Sequence, residues 1–455
     1  MTPRHLAIFF PRVAFLFSRN CPLSETRPCK KNLSPALLLR RAMNSKERLL
    51  LFILAAVNFT HIMDFMIMMP LGPQLMDLLH INPQQFGLAV SAYAITAGIS
   101  SFISAFFVDR FDRKKVLLFA YIGFVIGTFS CALAPNYELL VAARVLAGLF
   151  GGMIGAQVLA IVADTFEYER RARAMGILMT SFSLASVAGV PIGLWLAAKF
   201  SWHIPFVAIG GLGLAVAALI GIFVQPVNKH IVEGVPRGNP LRVLTDIFQT
   251  PNQMKALSLS IVLMMGHFVT IPFIAPSLVG NVGYSEQNLF LIYLVGGALT
   301  IFTSPLVGKI ADRRGKYPVF VVFALLSLIP VWLITNLWPM PLWGVLIISG
   351  LFFIVVNGRM IPTQAIISGV VNPQQRGGFM SINSSMQQLA TGAAALIGGA
   401  IVQKTAGGRI EHYDWVGYFS IALILASVWL AGRVQPIEQS AAAIAQEPVP
   451  TAESA

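Results

Sequence analysis

The sequence predicts an all-α polytopic membrane protein with twelve transmembrane helices in two pseudo-symmetric six-helix halves. Three observations predict it. Of the 455 residues, 56% are hydrophobic and only 11% charged, whereas a soluble domain carries about 25% charged residues. Mean hydropathy is +0.73, and twelve apolar runs are each long enough to cross a bilayer, which takes about 20 residues. A single offset of 203 residues superposes several landmarks of the first half on the second. No water-soluble globule of this size hides so much apolar surface. A soluble enzyme, a secreted disulfide scaffold and a disordered protein are therefore excluded together.

Residues 1–42 stand apart, with eight Lys/Arg against the single acid Glu25. Their apolar stretch is broken by Pro11 and Arg12 and is too short to span. A disordered basic tail, a targeting peptide and a start at Met43 remain open for this extension. The start at Met43 is preferred, because MNSKERLLLF sets a basic cluster directly before the first span.

The spans are expected near 49–72, 86–108, 116–134, 139–163, 175–198, 204–225, 256–280, 288–308, 318–337, 342–368, 379–403 and 416–433. Their length, their Leu/Ala/Gly content and the lack of period-two alternation favour helices over barrel strands. The longest polar break, 226–255, divides the chain into a half at 43–225 and a half at 256–433, with a disordered tail at 434–455. With the N-terminus inside, 27 of the 32 basic residues fall in inside segments, so both termini are expected in the cytoplasm. Asp109 maps to Asp312, Arg110 to Arg313, Arg173 to Arg376 and Gly189 to Gly392 at the common offset. Two homologous halves around one pathway are a transporter plan.

Three cysteines give neither an even framework nor metal-ligand spacing, and no phosphate-binding loop of the G-x-x-x-x-G-K-S/T type occurs. No metal, cofactor or nucleic-acid partner is expected. The expected partners are a small-molecule solute, protons and the lipid bilayer, and one chain already holds a complete pathway, so it is expected to work as a monomer.

Asp64, in NFTHIMDFMIMM, is the one carboxylate deep in any expected span. An intramembrane acid is costly unless it is paired, protonated or wet, so it marks function by default. His61 lies three residues earlier on the same helical face. Asp64 sits about 22 Å from the inner end of its span and Arg144 about 8 Å from the outer end of its own, which is a matching depth. A proton-coupling role for Asp64 stands beside that of a static buried ion-pair member. Arg359 and His267 are the polar counterparts in the second half, with Asn357, Gln364, Gln387 and Gln388 nearby in sequence or span. Arg359 is a candidate to meet an anionic or hydroxylated solute or to neutralise a helix C-terminus, and His267 to line a cavity or simply to pack. Gly148, Gly151 and Gly155 form a small-residue stripe with Arg144. Met63, Met66, Met68 and Met69 suit an adaptable binding surface and lipid packing equally well.

Several motifs carry a family resemblance. GKIADRRGK (308–316) resembles the cytoplasmic-loop signature G-x-x-x-D-R-x-G-R/K of the major facilitator superfamily, and AFFVDRFDRK (105–114) its first-half copy, with Ala105 and Asp112 in place of glycines. RVLAGLFGG (144–152) resembles the R-x-x-x-G-x-x-G-G pattern of proton-driven members, and GVPIG (189–193) is similar to the span-five antiporter motif, although Val190 intervenes and Leu194 replaces a glycine. The resemblance covers 49–433 and is nearest to the drug- and sugar-efflux (arabinose-type) branch. It implies the major facilitator fold in a plasma membrane, the inner membrane in a bacterium. It also implies that spans one and four are neighbours beside a central cavity, so that Arg144 sets the protonation of Asp64. The resemblance further implies a cytoplasmic gate built from Asp109, Arg110, Arg113, Gly308, Asp312, Arg313 and Gly315, and a hinge and seal at Gly189, Pro191 and Gly193. The expected function is export of a drug-like or sugar-like solute in exchange for protons. A proton-coupled importer of the same superfamily and, more remotely, a membrane-embedded enzyme or sensor are the alternatives.

Overall fold

The computed structural model describes residues 43–166, 168–228, 245, 247–371 and 376–435. The extension 1–42, much of the central loop and the tail beyond 435 lie outside the described residues. The chain divides at Ser45, and the helices belong to the unit that runs from Lys46 onward.

The elements are α1 (Ser45–Ile67), a short α2 (Gly72–Leu78), α3 (Pro83–Ser104), α4 (Arg113–Ala132) and α5 (Tyr137–Thr165), then α6 (Tyr168–Leu184), α7 (Val190–Lys199) and α8 (His203–Phe223). After the central loop come α9 (Pro251–Phe268), α10 (Ile271–Gly280), α11 (Leu289–Arg314), α12 (Lys316–Thr335), α13 (Leu342–Ser368), α14 (Arg376–Ile401) and α15 (Tyr413–Ala431). A two-stranded hairpin, β1 (Gln403–Lys404) with β2 (Ile410–Glu411), precedes α15. Local chemistry starts these helices where the sequence breaks. Asn82 and Gln85 form a reciprocal capping box before Pro83. Asn136 caps α5 through the Leu139 amide at 3.0 Å, and Asp112 caps α4 through the Lys115 amide at 3.2 Å.

Eleven helical segments among the described residues are long and apolar enough to cross a membrane. The remaining expected span, the eleventh at 379–403, is a continuous 26-residue helix, α14, that falls short in apolarity. Ser381, Asn383, Ser384, Ser385, Gln387 and Gln388 lower its hydropathy. It tolerates them because it packs along α3 and α9, where Asn383 and Ser385 are buried.

Two expected spans are broken. The first ends as a helix at Ile67, turns through Pro70 and resumes as α2; the seventh pauses at Val269 and Thr270 before α10. Pro70, Pro73 and Pro272 lack the amide that would continue the ladder. In span five a π-helical turn, Ala185–Gly189, runs up to the Gly/Pro segment. Its Val190 amide bonds the Ala185 carbonyl, so the ladder slips by one residue just before Pro191.

Helices α3, α4, α5 and α8 pack among themselves, as do α9 and α11 to α15. The two groups meet where α3 lies along α14, and where α7 and the π turn lie against α11. Glycines allow the first contact: a Cβ on Gly87 would stand 2.6 Å from the Ala395 carbonyl oxygen, and one on Gly399 2.8 Å from that of Pro83. Across the end that carries Asp77, Phe86 meets Phe273 edge-on at 6.0 Å and Asp77 pairs with Lys404 of the hairpin. Asn281 clamps that hairpin through both bonds to Ile410, at 2.8 and 2.7 Å. The groups are thus joined at this end, while Arg110, Asp312, Arg313 and Arg376 at the other end are all exposed.

Candidate functional site

Asp64 lies one turn before α1 ends, and Arg144 two turns into α5. Both are 0% exposed. Arg144 Nη1 donates to Asp64 Oδ2 at 2.8 Å and reaches the Asp64 carbonyl oxygen at 3.4 Å. That carbonyl belongs to the final turn of α1, where acceptors have no partner within the helix. Thr128 of α4 donates its hydroxyl to Asp64 Oδ1 at 3.0 Å. One carboxylate thus joins three helices. The guanidinium lies over the Tyr93 ring at 4.4 Å, a cation–π contact that strengthens away from water.

His61 is in the same cluster but does not bond Asp64. Its ring stands 6.2 Å from Tyr93 and 5.7 Å from Phe124, and its Nε2 is buried with no partner among the described residues. The Tyr93 hydroxyl is likewise buried without a partner. α5 fits this closely because a Cβ on Gly148 or Gly152 would run into Tyr93, Thr96 or Ala97 of α3. Gly155, expected in the same stripe, faces open space, and Gly152 takes its place.

The span-five glycines meet α1 beside Asp64. A Cβ on Gly189 would come 3.1 Å from Met63 Sδ, and one on Gly193 2.7 Å from Ile67 Cδ1. Pro191 is buried between them. On the other side, Gly297 of α11 closes on Val187 within the π turn.

In the second group Arg359 is fully buried, not open to a cavity. Its Nη1 donates to Ser327 at 3.2 Å, and its Nε has no partner among the described residues. His267 packs edge-on against Phe268 at 4.8 Å, and its Nδ1 is buried with no partner among the described residues. Asn357 donates to the Phe353 carbonyl at 3.0 Å, and Gln387 donates to Ser260 at 2.9 Å.

Of the loop residues, Arg113 pairs with Asp164 at 3.1 Å, tying the start of α4 to the end of α5. Gly315 joins α11 to α12 at φ +93, a conformation that disfavours side chains. Its first-half counterpart Asp112 instead has φ −59 and caps a helix, which is why a glycine is dispensable there. Gly308 has open space around its Cα. Asp312 and Arg313 are exposed, and the Asp109 side chain lies outside the described set.

Sequence reasoning missed Thr128, Tyr93, Ser327 and Asp164. Asp164, at a predicted loop edge, was the one charged signal among them.

The comparisons with known proteins agree with this architecture. A family model described as the Major Facilitator Superfamily matches residues 54–360 and 301–453. The chain belongs to that superfamily. Among its relatives, the uncharacterized MFS-type transporter YceJ of Bacillus subtilis (strain 168) is 22% identical over 369 residues, covering 81% of this chain and 91% of the relative. A probable sugar efflux transporter of Helicobacter pylori (strain G27) is 23% identical over 345 residues, covering 76% and 84%. Among solved structures, a D-xylose–proton symporter superposes with a TM-score of 0.71 at 15% identity, over 87% of this chain and 99% of the symporter. As a major facilitator the protein is an integral multi-pass membrane transporter that moves a small molecule by secondary transport and is not an enzyme.

Proposed function

We propose that this transporter exports a small organic molecule in exchange for protons, through twelve helices in two six-helix halves that rock about a central site, with both termini in the cytoplasm. The observation that carries this is the buried Asp64–Arg144 pair, held by Thr128 and Tyr93 at the junction of three helices. A carboxylate there binds a proton only by releasing Arg144, so proton occupancy and helix packing are linked. Span five adds support for export. Its Gly-Val-Pro segment packs against α1 within one turn of Asp64 and against α11 on the opposite side. Movement at Asp64 therefore bears directly on a seam between the halves. The Arg113–Asp164 pair and Gly315 belong to the cytoplasmic gate, and the Asp77–Lys404 pair to the external one. With the external end joined and the loop charges exposed, the conformation is read as inward-facing.

One charge crossing 100 mV provides about 2.3 kcal/mol, enough to hold a neutral solute at a gradient of roughly fifty-fold. The H. pylori relative is named for sugar efflux, which favours the efflux branch without naming this chain's solute. The test is Asp64→Asn in proteoliposomes loaded with radiolabelled solute. Solute–solute exchange should persist, and accumulation driven by an imposed pH gradient should be lost. Retained proton-driven accumulation in a folded variant removes Asp64 as the proton site. An inward solute flux that runs with the proton, rather than against it, replaces export with import.

A further inference from the structure

The two fully buried arginines, Arg144 and Arg359, differ in one respect. Arg144 has its own carboxylate at 2.8 Å. Arg359, equally buried on α13, is offered only the neutral hydroxyl of Ser327, and among the described residues no carboxylate pairs with it. A guanidinium cannot shed its proton to escape this, and an unpaired charge at membrane depth is expensive. Its Nε, a donor with no acceptor, adds to that cost. Arg359 is thus the one fully buried arginine among the described residues that has no carboxylate partner.

The surroundings suit an organic ligand. From Arg144 a series of rings leads across to α9. Tyr93 stacks on Arg144, Phe65 lies 5.6 Å from Tyr93, Phe268 of α9 lies 5.9 Å from Phe65, and His267 lies 4.8 Å from Phe268. In turn, α9 packs against α13, the helix that carries Arg359. The Phe65–Phe268 contact crosses between the two helix groups. The span that carries His267 and Phe268 breaks immediately afterwards, at Val269 and Thr270. Its counterpart in the first half breaks after Ile67, just beyond Asp64. Interrupted spans at corresponding positions of two repeats point to a binding site.

From this geometry we infer that the transported solute is an organic anion, with its carboxylate or phosphate paired to Arg359 and its apolar body against the Phe65 and Phe268 rings. The inference rests on the exchange reading for the first half: Asp64 neutralises Arg144 and serves the proton, and the solute itself neutralises Arg359. Each half then carries one arginine and receives one partner, internal in the first case and transported in the second. Arg359 is covered in this inward-facing conformation, so loading the anion takes a local rearrangement of the side chains packed over it.

The test uses purified full-length protein in lipid nanodiscs, with melting followed by intrinsic fluorescence. The probes are salicylate and phenyl phosphate as anions, salicylamide as the neutral analogue and benzamidinium as the cation. Without solute, Arg359→Met should melt no lower than wild type, because it removes a charge that the protein does not neutralise. An anion should raise the wild-type melting temperature, and its binding should weaken by at least about tenfold in Arg359→Met. A marked drop in the melting of solute-free Arg359→Met would assign Arg359 a structural role and overturn the inference. So would an equal anion shift in both proteins, no shift with either anion, or stronger stabilisation by salicylamide or benzamidinium. Asp64→Asn should keep the anion shift. Anion binding without solute-triggered proton release in wild type would sink proton exchange and leave the anion site standing; proton release by neutral solutes alone would do the reverse.

Discussion

Separating Asp64 from Arg144 should be costly singly and inexpensive jointly. At 2.8 Å, with an effective dielectric constant of about 20, the attraction between two unit charges is about 6 kcal/mol. Desolvating the two ions costs several kcal/mol each, so the pair contributes little net stability even though each member depends on the other. Arg144→Gln leaves Asp64 with the Thr128 hydroxyl alone, and Asp64→Asn leaves a charged guanidinium on an amide and the Tyr93 ring. Each single change should cost about 3–5 kcal/mol, the usual penalty for stranding one member of a buried pair. The double variant strands no charge and should lie within about 1–2 kcal/mol of wild type, leaving a coupling energy of several kcal/mol. The assay is a double-mutant cycle of unfolding in mixed micelles, with melting temperatures as a cross-check. A double variant destabilised by the sum of the single effects would mean that the two groups do not interact, and the proton assignment would lose its physical basis.

Two further outcomes follow from the packing around this pair. Gly152→Ala should destabilise by about 1–3 kcal/mol through overpacking, because its Cβ lands on the Ala97 backbone; Gly155→Ala, with open space at its Cα, should melt like wild type, and equal melting of the two would refute the close α3–α5 approach. Tyr93→Phe should be nearly silent, since the hydroxyl has no partner among the described residues, whereas Tyr93→Leu loses a desolvated cation–π contact worth about 2 kcal/mol; melts of both variants decide whether the ring or the hydroxyl matters.

Much of the fold is legible in composition because the bilayer imposes a single simple demand, a run of apolar residues of fixed length. The limits of that signal are equally physical. Hydropathy does not register a missing amide, so the breaks at Pro70 and Pro272 sit inside runs that read as continuous. α14 is a helix that buries Asn383 and Ser385 where it packs along α3 and α9, which an average over all faces cannot distinguish. Asp64 and Arg144 stand out as sequence because a charge in a span is rare. Thr128 and Tyr93 do not, because single hydroxyls and rings are ordinary there. Whether a buried arginine has a partner depends on which helices meet, so Arg144 and Arg359 look alike in sequence and differ in structure. The loop copies show the same limit. Gly315 needs its positive φ, and Asp112 meets the same chain reversal by capping a helix.

The central claim, solute-for-proton exchange through Asp64, is tested most directly in inverted membrane vesicles that carry a pH gradient reported by a fluorescent dye. Adding the transported solute to vesicles with wild-type protein should release protons, and vesicles with equal amounts of folded Asp64→Asn should give no release. Release of the same size from both proteins would contradict the account.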